Sequence, residues 1–345
     1  MKDTTTQRKC IYCLISKVYG IGRKVRKLSE FNKEHVVHRA VASGYKNAPT
    51  LIGRVCTSCN QHFGDSIDQV FSRSGYEGFQ RFKLGLKSTT EIHQLQAGGL
   101  VFGSPAPRTE GFVPVEVEHH ESSDGKLATR VQPYVMLYSR KHGKEMNVSI
   151  RDIPNIKRLI QENDLDVTRL TFATNGLAEE EDKLIELLKN QGIDVLYSSS
   201  PSVPAPLFIS SYAPQEALLR AVAKIAFNYF AYLCEQVDPS VPLGADFDGI
   251  RNYIRHGHQF TDIVLSGEGL IKGNSRDHLC SLQYHDEEGH SLTVVHVSLF
   301  NGFTYSFVLS RMEIGATFPE TQAHRWDTAR KTFGRVPLNL LWTTT

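Results

Sequence analysis

Two matched cysteine pairs are the first residues whose type and spacing speak of chemistry: Cys10-x2-Cys13 and Cys56-x2-Cys59, with 42 residues between them. Four thiolates offered as two hooks are the usual way to close a tetrahedral zinc site. Zinc held by four sulfurs keeps no open position, so its work is structural: it staples a segment too short of apolar residues to fold alone. The competing reading is four unrelated buried thiols. Cys234 and Cys280 lack such a partner two residues away and read as ordinary core residues.

Polar groups of a different kind flank the hooks. Between them runs Phe31-Asn32-Lys33-Glu34-His35-Val36-Val37-His38, and directly after the fourth cysteine comes Asn60-Gln61-His62-Phe63-Gly64-Asp65-Ser66-Ile67-Asp68. Taken with the cysteine spacing, the pattern C-x2-C, E-H-V, V-C-x2-C-N-x2-F-G-x2-I-D resembles the zinc-bearing HNH endonucleases over roughly residues 8–70. Residues 216–255, with the stretches 220–226 and 247–254, also resemble the downstream region of some bacterial HNH-domain proteins, a likeness that names no chemistry.

The resemblance implies a ββα-metal fold that cuts phosphodiester bonds in DNA. It makes His35 the general base, since an imidazole accepts a proton at neutral pH. It makes Glu34 and Asn60 ligands of a catalytic Mg²⁺ or Mn²⁺, whose preference is for hard oxygen atoms. Strict strand alternation points Glu34 and His35 to opposite faces, so a bulge or a strand end must intervene. His38 stands where many members have proline, and Asn47 is a candidate to orient the base. His38 and His62 read as ligands or as solvated or hydrogen-bonded side chains. Asp65 and Asp68 read as aids to the cation or as acids in a first helical turn.

Charge is unevenly spread. Residues 1–87 carry +10 and the remainder −8, although the chain as a whole is nearly neutral at +2. Arg23, Lys24, Arg26 and Lys27 form the densest cluster, with Arg8, Lys9, Arg39 and Arg54 near it in sequence. Such a cluster neutralises phosphates and releases counterions, or it is a solvated basic face. DNA is the expected partner, with RNA left open.

These groups need elements to hold them. A chain of 345 residues is long enough for two or three domains, and 40% hydrophobic with 22% charged residues is a globular rather than a disordered balance. No apolar run approaches the ~18 residues of a membrane span, and residues 1–10 lack a signal peptide's apolar stretch, so a cytoplasmic location with reduced thiols and no membrane partner is expected. The fold class expected is α+β: residues 1–88 as an N-terminal ββα-metal zinc module, 89–200 as a mixed α/β region, and 201–345 as a C-terminal helix-plus-antiparallel-sheet domain.

Helices are expected over Pro154–Glu162, Glu179–Gln191, Ala217–Leu233 and Phe247–Arg255, the last ending before Gly257. Leu170–Thr174, the helix after it and Ile193–Tyr197 fit a βαβ crossover. Residues 198–206 have the composition of a linker. Asn301-Gly302, between Phe300 and Phe303, signals a two-residue hairpin turn. Arg251 and Arg255 with His256 and His258 read as a nucleic-acid contact or a solvated helix end. No G-x4-G-K-[ST] loop and no G-x-S-x-G elbow is present, which argues against nucleotide-driven or serine-nucleophile chemistry.

The expected function is thus a metal-dependent endonuclease. The alternatives are a zinc-dependent nucleic-acid-binding protein that does not cut and a zinc module for protein interaction. One such site cuts one strand, so cutting a duplex calls for a homo-oligomer or two events.

Overall fold

The computed structural model describes residues 4–21, 30–42, 44–88, 90–91, 95–96, 99–105, 112–123, 127–174, 178–195, 208–237, 243–271, 275–287, 290–311 and 321–341. The chain is mixed α+β and falls into two compact units, Met1–Arg81 joined with Gln215–Thr345, and Phe82–Pro214. The first and last segments of the sequence reading therefore share one unit, and the middle one is inserted between them.

The first unit opens with β1 (Thr4–Lys9) and β2 (Ser16–Ile21), antiparallel around the tight turn that holds Cys10 and Cys13. Next come β3 (Phe31–His35), the short α1 (Arg39–Ala42), β4 (Thr50–Cys56) and α2 (Thr57–Phe63). A π-helical turn, Gly64–Asp68, carries the helix on into α3 (Gln69–Arg73), and α4 (Gly75–Lys83) follows. β3 and β4 pair antiparallel, but the register jumps from Asn32↔Val55 to Lys33↔Ile52. The extra residues are Gly53 and Arg54, and Gly53 takes a left-handed φ of 71°, as bulges with glycine do. A Cβ there would sit 2.6 Å from the Tyr19 ring, so the bulge needs glycine twice over.

The inserted unit holds β5 (Leu100–Pro105), β6 (Phe112–Val115), β7 (Val117–Glu121), β8 (Leu127–Val131), β9 (Tyr134–Ser139), β10 (Lys144–Ser149), α5 (Ile156–Asn163), β11 (Leu165–Ala173), α6 (Ala178–Asn190) and β12 (Phe208–Tyr212). Its core gathers Val135, Leu137, Ile156, Phe172, Leu184 and Leu188 from strands and helices. Among the described residues the expected βαβ crossover is not formed. β10, β9 and β11 make an antiparallel sheet, and Ile193–Val195 lie outside any strand. Leu184 and Leu188 of α6 share one core with Val135 and Leu137 of β9 and Leu170 and Phe172 of β11. The linker expected over 198–206 lies outside the described residues.

The chain then returns with α7 (Glu216–Val237) and α8 (Asp248–His256), which Gly257 ends at a left-handed φ of 69°. β13 (Ile263–Ser266), β14 (His278–Glu287), β15 (His290–Leu299), β16 (Phe303–Ser310), β17 (Gln322–Asp327) and β18 (Thr332–Arg335) form an antiparallel sheet in the order β13-β16-β15-β14-β17-β18. α7 packs on β14, β15 and β16 and also on α3, α8 and β4. By length and composition α7 would pass as a membrane span, contrary to the sequence expectation; 78% of that window is buried inside the protein, as suits a central core helix.

The hairpin between β15 and β16 differs by one residue from its expected form. Phe300 and Asn301, rather than Asn301 and Gly302, take left-handed φ angles of 54° and 48°. Tertiary bonds impose this. The Phe300 N–H donates to His278 Nδ1 at 3.1 Å, and the Asn301 side chain bonds both the N–H and the C=O of Ile271. Arg251 is also reassigned. It is 2% exposed and donates to the carbonyls of Ile11, Leu243 and Gly244 and to Asp248, so it braces the cysteine turn instead of meeting solvent or nucleic acid.

Candidate functional site

Backbone turns bring the two hooks together. The Leu14 N–H donates to the Cys10 C=O at 3.0 Å, and Leu14 takes a left-handed φ of 59° to fold the first hook back on itself. The second hook straddles the join between β4 and α2, with Cys56 as the residue capping the helix and Cys59 in its first turn. The bulge turns the Arg54 carbonyl toward the first hook, where it accepts the Ile11 N–H at 2.9 Å.

All four sulfurs lie within 4.8 Å of one another, and Cys13 and Cys56 Sγ are 3.8 Å apart. A tetrahedron with Zn–S bonds of about 2.3 Å has edges of about 3.8 Å, so the donor set fits zinc in number, chemistry and spacing. A hydrogen bond from Cys59 and backbone N–H groups of Cys13, Cys56 and Tyr12 lower the Cys10 thiol to about 4 against the opposing effect of burial. The same hydrogen bond raises Cys59, and burial raises Cys13, so a metal binding here would displace protons from thiols of the set.

Tyr12, inside the first hook, links this centre to a second cluster. Its hydroxyl donates to Asn228 Oδ1 at 2.7 Å, and its ring meets Phe63 edge-on at 4.6 Å. Asn228 Nδ2 in turn donates to Glu34 Oε1 and to the His35 carbonyl, both at 3.3 Å. One helical turn earlier, Lys224 Nζ lies 2.9 Å from Glu34 Oε1 and 2.9 and 3.3 Å from the two oxygens of Asp68. His38 Nε2 stands 3.5 Å from Asp68 Oδ2, and the His38 ring meets Phe71 edge-on. Glu34, His35, His38, Asp68, Lys224 and Asn228 line one small cavity. Glu34 and His35 share it where β3 ends, His35 being the last residue of that strand.

Burial sets the protonation states. Desolvation works against the Lys224 ammonium, but Glu34 and Asp68 outweigh it and hold its pKa above the ordinary lysine value. Desolvation raises Glu34, with Lys224 opposing. His38 is pushed down to about 4 by burial, with Asp68 only partly countering, so it is neutral at pH 7. His35, half-buried, is lowered by desolvation and by the charges of Lys33 and Arg39, both exposed.

Asn60 is the third residue of the set that the resemblance implies. It follows Cys59 on α2, half-buried, and is not among the residues lining the cavity of Glu34 and His35. His62, on the exposed side of α2, bonds the Arg255 carbonyl at 2.8 Å, and Asp65 is exposed in the π-helical turn. Asn47 is exposed and fills a left-handed position at φ 58°. Arg23, Lys24, Arg26 and Lys27 lie outside the described residues. Lys224 and Asn228 were not singled out from the sequence. Their signal is a polar pair four residues apart on the apolar face of the strongest helix pattern in the chain.

Comparison with protein-family models, with curated proteins and with solved structures yields no match to this chain.

Proposed function

We propose that this protein hydrolyses phosphodiester bonds in nucleic acid, DNA foremost, with His35 as the general base. The observation that carries the reading is the setting of His35: half-exposed at the end of β3, its carbonyl tied by Asn228, its ring kept neutral by burial and by Lys33 and Arg39. The resemblance to zinc-bearing HNH endonucleases supports it, as does an antiparallel strand pair leading straight into a helix beside four clustered cysteines.

In the proposed step, neutral His35 takes a proton from water as the oxygen attacks phosphorus. The bond to the departing sugar oxygen breaks, and that oxygen takes a proton from solvent. The exposed Lys33 and Arg39 hold the phosphate by charge. Cys10, Cys13, Cys56 and Cys59 hold a structural zinc, which when bound supplies folding energy to the module. A catalytic Mg²⁺ or Mn²⁺ between Glu34 and Asn60 does not suit the residues present. Glu34 Oε1 is already met by Lys224 and Asn228, and Asn60 does not line the cavity. No step is therefore assigned to that cation.

The test is cleavage of supercoiled plasmid and of single-stranded DNA by the full chain, with His35→Ala compared at equal zinc content. The expected outcome is a loss of at least about 100-fold in the variant, the usual scale of a general base. Equal cutting by both proteins would rule the base out. Salt-sensitive binding by both, without cutting, would favour the non-cutting nucleic-acid-binding module, a reading supported by the engagement of both Glu34 and Asp68 with Lys224.

A further inference from the structure

The two carboxylates beside His35 already have a cation, and it is covalently part of the protein. We infer that the Lys224 ammonium is the resident cation of the Glu34–Asp68 pair, that it excludes divalent metal from this site in the native protein, and that its removal would turn the pair into a divalent-metal site. The inference concerns the same site as the proposed hydrolysis and holds whether or not that chemistry occurs.

Geometry and charge carry it. Lys224 is 3% exposed, and its Nζ makes three contacts, at 2.9, 2.9 and 3.3 Å, all to carboxylate oxygens of Glu34 and Asp68. An ammonium has three N–H donors, so all are spent inside the pair. The side chain enters from the buried face of α7, a helix wedged between the sheet and α3, and the Lys224 C=O is itself within 3.5 Å of the Tyr12 hydroxyl. Withdrawing the ammonium to admit a metal would leave it buried and unpaired, which costs several kcal/mol.

Space gives the same answer. Mg²⁺ binds oxygen at about 2.0–2.1 Å and keeps several waters, whereas the cavity here leaves only about 10 Å³ for the centre of a water-sized sphere, room for about one water. The exclusion of metal is therefore built into helix α7 and not into the Glu-His motif, which by itself reads as a metal-binding pattern. With Lys224 shortened, Glu34 and Asp68 would be uncompensated neighbours with the neutral imidazole of His38 beside them. Two carboxylates and an imidazole are a donor set that Mn²⁺ accepts.

The experiment is a Mn²⁺ titration of the zinc-loaded full chain, read by loss of the free-ion electron paramagnetic resonance signal. The native protein, Lys224→Ala, Lys224→Arg and Lys224→Ala with Glu34→Gln are compared at equal zinc content. The expected result is no stoichiometric Mn²⁺ in the native protein or in Lys224→Arg, one equivalent bound at least tenfold more tightly in Lys224→Ala, and its loss on adding Glu34→Gln. A native protein that binds one Mn²⁺, with Glu34→Gln alone abolishing it, would overturn the inference even if Lys224→Ala failed to fold. Because the readout is binding, a failure to cut DNA would count against the proposed hydrolysis and leave this result intact.

Discussion

The sulfur centre and the carboxylate cluster are neighbours joined through Tyr12, yet they gather charge in opposite ways. The four thiols come from two short hooks and fit a metal from outside. The carboxylates of Glu34 and Asp68 meet a cation supplied by a helix far along the chain. The first kind of site would take its cation from solution; the second has one supplied by the fold and inseparable from it. The lesson is that a cation-shaped arrangement of acids does not by itself call for a metal.

The sharpest way to break the comparison is at the sulfur centre. Cys56→Ser should lose zinc and unfold the first unit, since a structural zinc site contributes on the order of 10 kcal/mol of apparent binding energy to folding. Zinc stoichiometry and far-ultraviolet circular dichroism would read this, and a variant that kept its helices without zinc would undo the contrast. Next in size is Lys224→Met, which leaves two buried carboxylates without their partner. A loss of about 3–5 kcal/mol in urea unfolding at pH 7 is expected, partly restored by adding Glu34→Gln. If the single variant were as stable as the native protein, the ammonium would have no structural hold on the pair.

Acid should act on the same unit by a different route. Burial lowers His38, His278, His296 and His324 to about 4 each, below the ordinary 6.5 of an exposed imidazole. Folding favours their neutral forms, so the stability they contribute is present above pH 6.5 and is lost as pH falls from there toward 4. Urea unfolding should show a less stable protein at pH 5 than at pH 7, with a shallower decline in His38→Gln. Stability that rose on acidification would contradict the assigned states. The smallest effect expected is that of Tyr12→Phe, which removes the link between the two sites at a cost of about 1–2 kcal/mol while zinc content stays unchanged.

The two sites also differ in how far the chain alone discloses them. The cysteine hooks are legible because their geometry is set by two residues of spacing and one turn of backbone. Glu34 and His35 are legible as a pair but not in their relation, which is set where β3 ends, a point that strand periodicity does not announce. Lys224 and Asn228 lie among the apolar residues of α7, and their role appears only when that helix docks on β4 and α3. Asp68 has the look of an acid at a helix start; the π-helical turn instead carries it to the ammonium. The reversal of β11 and the shifted turn at Phe300 are likewise set by contacts distant in sequence.

The interruption of the first unit by residues 82–214 has a consequence in time. At about 5–20 residues per second, synthesis delivers both cysteine hooks on the order of ten seconds before α7. A nascent chain thus holds both cysteine pairs while Glu34 and His35 still lack the helix that fixes them. Any activity at His35 would then be withheld until the second half of the protein exists, and a prematurely ended chain would be inert.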